Sequence, residues 1–159
     1  MRCGNKFVPI NNMSQILPLA ELHLDQVEAI EQRAHSHPWS SSMIRDVNSR
    51  GACHHVLVDN EQVVGYFYAQ NIVGEVTLLN IAVDPQHQGK GYGKRLVNAF
   101  IEMCENLNAE SAWLEVRESN VTAFGLYEAI GFNEVDRRVN YYPSANGKED
   151  AIIMSYIFF

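Results

Sequence analysis

The chain has 159 residues, 47% of them hydrophobic and 19% charged; that composition excludes a disordered or fibrous polymer, and the length suits one domain with a core of its own. Lysine and arginine number 12 against 19 acidic residues, for a net charge of −7. Such a surface repels phosphate backbones, which argues against broad nucleic-acid binding and for a basic partner.

The first dozen residues, Met1 to Asn12, lack periodicity and read as an extension outside the fold, or else as a short pairing strand through Lys6 to Ile10. The folded domain is expected from Met13 to the end. A strand is predicted over Gln15 to Leu19. Asp25 to Ala34 reads as a helix, with Val27, Ile30 and Ala34 at three- and four-residue spacing. His37-Pro38-Trp39 breaks it, and Ser40 or Ser41 can cap a second helix containing Met43, Ile44 and Val47. Val56 to Val58 and Val63 to Ala69 read as strands, followed by a more apolar one over Val76 to Val83. Leu96, Val97, Phe100, Ile101, Cys104 and Leu107 lie on one face of an amphipathic helix. Ala112 to Val116 is a strand, and Asn120 to Ile130 a helix stopped by Gly131. Strands around Glu134 to Tyr141 and Ala151 to Tyr156 close the chain, joined by a loop from Pro143 to Gly147. The order β-α-α-β-β-β-α-β-α-β-β predicts an α/β (α+β) fold, a mixed central sheet flanked by helices.

Between the third apolar strand and its helix lies Gln88-Gly89-Lys90-Gly91-Tyr92-Gly93-Lys94. A glycine-rich turn at a helix N-terminus aims backbone N–H groups outward and can cradle a phosphate; it can equally be a flexible turn. A dinucleotide fingerprint needs a third glycine at 94 or 96, where Lys94 and Leu96 stand. A P-loop needs glycine at 88 and Ser or Thr at 95, where Gln88 and Arg95 stand. The spacing that remains is Gln-x-x-Gly-x-Gly, carried by Gln88, Gly91 and Gly93.

That signature resembles the pyrophosphate-binding loop of the GNAT acetyltransferases, and its neighbours extend the likeness. Asn80 to Pro85 resembles the strand that precedes the loop in that family; Trp113 to Asn120 and Leu126 to Phe132 resemble the next strand and helix. Glu31 to His35, Pro38-Trp39, Arg138 to Pro143 and Asn146 to Met154 are similar to the RimI-type branch. Those are bacterial N-terminal acetyltransferases acting on the alanine of a small-subunit ribosomal protein. The resemblance runs from Met13 to about Met154. It implies the GNAT acyl-CoA N-acyltransferase fold, acetyl-CoA as co-substrate, and a basic ribosomal-protein N-terminus as acceptor. A lysine or small amine as acceptor, or a non-catalytic CoA-binding module, remain alternatives.

Acetyl transfer requires a neutral amine, and an α-amine with a pKa of about 7.7–8.0 is mostly protonated at neutral pH. Glu115 is the candidate base, acting through water. Strand alternation puts it on one face with Trp113 and Arg117, so it is either a base partly desolvated by the indole or a surface carboxylate paired with Arg117. The resemblance makes Tyr127 the acid that meets the departing thiolate; by spacing alone it is a core tyrosine. Asn120 either caps its helix or also touches the CoA arm. Ile81, Ala82 and Val83 would offer backbone groups to the acetyl and pantetheine units, with the Val83 N–H on the thioester carbonyl. Gly89, Lys90, Gly91, Tyr92, Gly93 and Lys94, with Gln88, would hold the pyrophosphate. Trp39, Tyr141 and Tyr142 are candidates to wall the peptide slot, and Glu31, Glu75 and Glu149 to face its cations.

Remaining features carry less. No apolar run approaches the ~20 residues of a membrane span, and no apolar segment follows Arg2 and Lys6 as a secretion signal would require. Cys3, Cys53 and Cys104 form no pair and read as free thiols of a reducing compartment. His35, His37, His54 and His55 lack Cys or carboxylate partners at ligand spacing, so no metal is expected. A cytoplasmic monomer, with no membrane or direct nucleic-acid contact, is the expectation.

Overall fold

In the computed structural model, which describes residues 14–159, strand β1 (Ser14–Pro18) leads through a 3-10 turn into helices α1 (Leu24–Ala34) and α2 (Ser41–Arg45). Strands β2 (His55–Asp59), β3 (Gln62–Ile72) and β4 (Glu75–Val83) follow, then helix α3 (Tyr92–Asn106), β5 (Ser111–Arg117), α4 (Val121–Ile130) and the hairpin β6 (Asn133–Ser144) and β7 (Gly147–Ile157). They form one seven-stranded sheet in the order β1-β2-β3-β4-β5-β7-β6. The sheet is antiparallel except between β4 and β5, whose crossover is α3. The helix and strand order is the predicted one. The expected extension Met1 to Asn12, the start at Met13, the alternative strand at Lys6 to Ile10 and Cys3 all lie outside the described residues.

Two buried clusters sandwich the centre of the sheet. On one face Leu96, Val97, Phe100 and Cys104 of α3 pack on Leu57, Phe67, Leu114, Val116 and Met154. On the other, Val27 and Ile30 of α1 and Ile44 of α2 pack on Val56, Tyr66, Tyr68 and Ala82. β3 is apolar at successive positions because it is covered on both sides. The second cluster contains no residue of β5, β6 or β7, so the face of those strands that carries Trp113, Glu115 and Ile153 has no part in it and lines a groove instead.

The feature that creates a site is where the sheet splits. The β4–β5 ladder pairs Glu75 with Ser111 through Leu78 with Leu114 and goes no further, although β4 continues to Val83 and β5 to Arg117. The split coincides with a bulge: Ala69 pairs with Leu78 and Tyr68 with Asn80, leaving Leu79 unmatched. An extra residue bends its strand and sharpens its twist. β4 follows β3, and β5 follows β7.

Three local expectations are corrected. Helix α2 ends at Arg45, so Val47 lies beyond it, still packed on the second cluster. Helix α3 ends at Asn106, and Leu107, expected on its buried face, is exposed. The predicted loop at Pro143 to Gly147 is mostly strand, with Pro143 paired to Lys148. Proline is tolerated there because β6 is an edge strand.

Candidate active site

The split opens a cavity of about 330 Å³, lined by the diverging ends of β4 and β5 and roofed by His35, Asn120, Tyr127 and Tyr142. Its strand edge is chemically specific. The Asp84 N–H donates to the Val64 carbonyl at 2.8 Å, so alternation along an antiparallel pair turns the peptide groups of Val83 and Ile81 away from β3, toward the gap. Ala82 lies in the intervening pair and faces β3 with its backbone; its side chain is in the core. Of the three expected strand residues, Ile81 and Val83 turn their backbone groups to the gap, and the Val83 carbonyl there accepts from the Gln88 side-chain amide at 3.5 Å. Asp84 fixes the end of the strand by accepting from the Gln86 N–H and from Arg33 at 2.8 Å. Burial would push its carboxyl up, but those two donors outweigh it and hold the group below the ordinary carboxylate value.

The glycine loop follows directly. Gly89 and Gly91 have φ of +82° and +81°, and a Cβ built on either meets no protein atom within 4 Å. Both need the left-handed backbone that glycine adopts freely, and both face open space. Gly91 is the N-cap of the 15-residue α3, so the loop ends on a helix N-terminus with its unpaired N–H groups. Gln88, Lys90 and Lys94 are exposed, and neither lysine has an ion-pair partner among the described residues. The Tyr92 side chain is committed elsewhere, donating to Asp59 at 2.6 Å; only its backbone is available to the loop.

Glu115 and Tyr127 line the same cavity from β5 and α4. Strand alternation places Leu114 and Val116 in the core and turns Glu115 to the open face, with its side chain 30% exposed. Its partner is Arg138 at 2.6 Å, not the Arg117 that local spacing suggests. Glu115 also lines a second groove, of about 450 Å³, with Glu75, Leu79, Trp113 and Ile153. Tyr127 is buried at 6% exposure, edge-on to Phe132, and its hydroxyl has no hydrogen-bond partner among the described residues. Burial, with Tyr142 adjacent, pushes its pKa up to about 12. Asn120 caps α4, accepting from the Ala123 N–H at 3.2 Å, and its side-chain amide nitrogen is left over.

The rim is more tightly built than the sequence suggests. Arg117 donates to the Pro143 carbonyl at 2.7 Å and to Glu149 at 3.2 Å, lies 4.4 Å from the Tyr142 ring and reaches His37 at 3.3 Å. Glu149 accepts in addition from the Ser119 N–H and hydroxyl. The Ser119 bonds first, and Arg117 after them, hold its carboxyl below the ordinary value. Glu149 is therefore committed to a cross-tie. Glu31 is not at the rim: at 1% exposure it accepts from the Tyr66 hydroxyl at 2.5 Å, the Trp39 N–H at 2.9 Å and the Asn80 amide at 2.9 Å. Trp39 and Tyr142 line the cavity, Glu75 lines the second groove, and Tyr141 is exposed against Tyr142. Asn80, Arg138 and the cross-tie role of Arg117 were not singled out from sequence. Asn80 had a signal: it is the one amide in the stretch Val76 to Val83, where Thr77 is the only other polar residue.

The model of the acetyltransferase (GNAT) family matches residues 24–132. The [ribosomal protein bS18]-alanine N-acetyltransferase of Escherichia coli K12 is 41% identical over 143 residues, covering 90% of this chain and 97% of that protein. That of Haemophilus influenzae is 40% identical over 144 residues, covering 90% and 98%. The crystal structure of the ribosomal-protein-S18-alanine N-acetyltransferase from Escherichia coli superposes with a TM-score of 0.88, at 40% identity, over 91% of this chain and 94% of that one. A family match across most of the chain, relatives of this likeness over nearly their full length and a closely superposing fold place the chain in the GNAT acetyltransferase family, among its RimI-type N-acetyltransferases.

Proposed function

We propose that residues 13–159 form one acetyltransferase domain that moves the acetyl group of acetyl-CoA to the α-amine of an N-terminal alanine on a small-subunit ribosomal protein. The observation that carries this reading is the split between β4 and β5, which gathers a free strand edge, Glu115, Tyr127 and Asn120 around one cavity. Relatives at 40–41% identity that are named for that acceptor support the choice.

Acetyl-CoA brings the activated thioester, and the residues present fit it. An extended pantetheine arm suits the unpaired edge at Ile81 and Val83, hydrogen-bonding much as a missing strand would. Gln88 to Lys94 suits the pyrophosphate: glycines that put no side chain in the way, N–H groups at a helix start, and Lys90 and Lys94 without ion pairs among the described residues. Asn120 has an amide nitrogen to offer the arm while its oxygen caps α4. The Val83 N–H, turned away from β3, would be the donor that polarises the thioester carbonyl. Glu115 takes a proton from the amine through water, for which Arg138 must shift from the carboxylate. Tyr127, neutral because burial keeps its proton on, donates to the departing sulfur. The acceptor is a basic N-terminus approaching from the groove of Glu75, Trp113 and Glu115.

CoA release from acetyl-CoA, with a peptide beginning Ala-Arg-Tyr beside its Nα-blocked twin, tests this. Release with the free amine alone is expected. Turnover of the blocked twin through a lysine would replace the acceptor class. Acetyl-CoA binding without release on either would leave a CoA-binding module.

A further inference from the structure

We infer that His35 is a second proton acceptor for the transfer, taking up through Nδ1 one of the protons that the α-amine must lose. The inference rests on the acetyl-transfer reading and adds to it a residue with no assigned part.

The proton balance has a place for such a group. An α-ammonium that becomes an amide loses two protons from nitrogen, one before attack and one after. The N–C bond forms, the C–S bond breaks, the sulfur gains one proton, and the other is released to solvent. Tyr127 serves the sulfur and must regain its own proton. Glu115 accepts one proton at a time, and its Oε2 is already held by Arg138 at 2.6 Å. A second basic atom on the cavity wall can take one of the two protons directly from the amine while Glu115 remains paired.

His35 is that atom because a buried chain of bonds fixes its ring. Glu31 accepts from the Asn80 side-chain nitrogen at 2.9 Å, and a carboxylate offers only acceptors, so the Asn80 amide is oriented with Oδ1 outward. Oδ1 sits 3.0 Å from His35 Nε2. A carbonyl oxygen cannot donate, so Nε2 carries the hydrogen in the neutral ring and Nδ1 holds the lone pair. Nδ1 has no partner among the described residues. The side chain lines the cavity and is 34% exposed, and Glu31 lies 3.7 Å from Nε2 as the counter-charge for an imidazolium. A histidine with a structural job looks different here: buried His54 accepts from the Ala69 N–H through its own Nδ1 at 3.1 Å.

The test uses the full chain, saturating acetyl-CoA and the Ala-Arg-Tyr peptide. His35→Gln keeps an N–H for Asn80 but has no basic nitrogen, and kcat should fall about 100-fold with the acetyl-CoA KM unchanged. His35→Ala should be equally slow and should recover in proportion to added imidazole, which a packing role would not allow. Thermal melting shows whether each variant is folded. A folded His35→Gln within about twofold of the wild-type kcat, far below the loss a general base implies, overturns the inference, and so does a folded His35→Ala that imidazole does not rescue. A wild type that releases no CoA overturns the acetyl-transfer reading and this inference together, whereas an active wild type with unimpaired variants overturns the inference alone.

Discussion

At the scale of single residues, Tyr127 tests the proposed reading, because a role in the reaction and a role in the fold predict opposite effects of its loss. A buried hydroxyl without a partner costs about 1–3 kcal/mol of stability, and this one has none among the described residues. Tyr127→Phe should therefore leave the melting temperature unchanged or raise it, while turnover falls about 100-fold, the lower range for loss of an acid. A purely structural tyrosine would show the opposite pairing, lower stability and intact turnover; calorimetry with steady-state kinetics separates the two. The pH profile adds a check. An ordinary phenol ionises near pH 10, but with the pKa of Tyr127 pushed up to about 12 the proposed acid stays loaded across the whole neutral and mildly alkaline range. No fall in rate belonging to this group should appear below about pH 10.

At the scale of elements, the loop before α3 and the hairpin after α4 do separable work. Gly91 combines a φ of +81° with open space at its Cβ. Gly91→Ala clashes with nothing in the protein, yet the left-handed backbone costs about 1–2 kcal/mol with a side chain present. The loop will relax away from its cradle, and the Kd for CoA should rise about tenfold by calorimetry while the Kd of the peptide stays put; equal CoA affinity would remove the loop from the site. The β6–β7 hairpin is tied to the cavity by Arg117, which gathers Pro143, Glu149, Tyr142 and His37. Arg117→Ala should free it: amides of 139–148 should exchange faster with solvent, and the peptide KM should rise several-fold with CoA binding unchanged. Such ties explain what a sequence could and could not disclose. Helix faces and strand alternation are local, so α3, the core side of β5 and the glycine loop were legible from spacing. Arg138 pairs with Glu115 because the order β5-β7-β6 puts both near the same row of the sheet, and neither sheet order nor register is written in the spacing of either segment. Glu31 reads as one acidic position on an amphipathic helix; only packing against Tyr66 and Asn80 turns it into a buried hub.

For the molecule as a whole, an acidic chain must handle an anionic co-substrate and, on the proposed reading, a cationic acceptor. On the same reading Lys90 and Lys94, beside the glycine loop, would serve the first locally. The net charge of −7 serves the second at a distance, since an acidic surface raises the encounter rate of a basic peptide more than it tightens the final complex. The Debye length shrinks from about 10 Å at 0.1 M salt to about 3 Å at 1 M, so that contribution can be titrated away. Between low and high salt, kcat/KM for the Ala-Arg-Tyr peptide should fall about fivefold, through KM, with kcat constant. The same peptide with glutamine in place of its arginine should start lower and respond less. If both peptides respond alike, the salt effect lies at the glycine loop, where on the proposed reading Lys90 and Lys94 would meet phosphates whatever the acceptor. A CoA titration over the same salt range tells the two apart, because only the loop's contribution changes CoA affinity. A difference confined to the arginine peptide locates the attraction on the open face of β5 and β7, where Glu75 and Glu115 border the groove that leads to Tyr127.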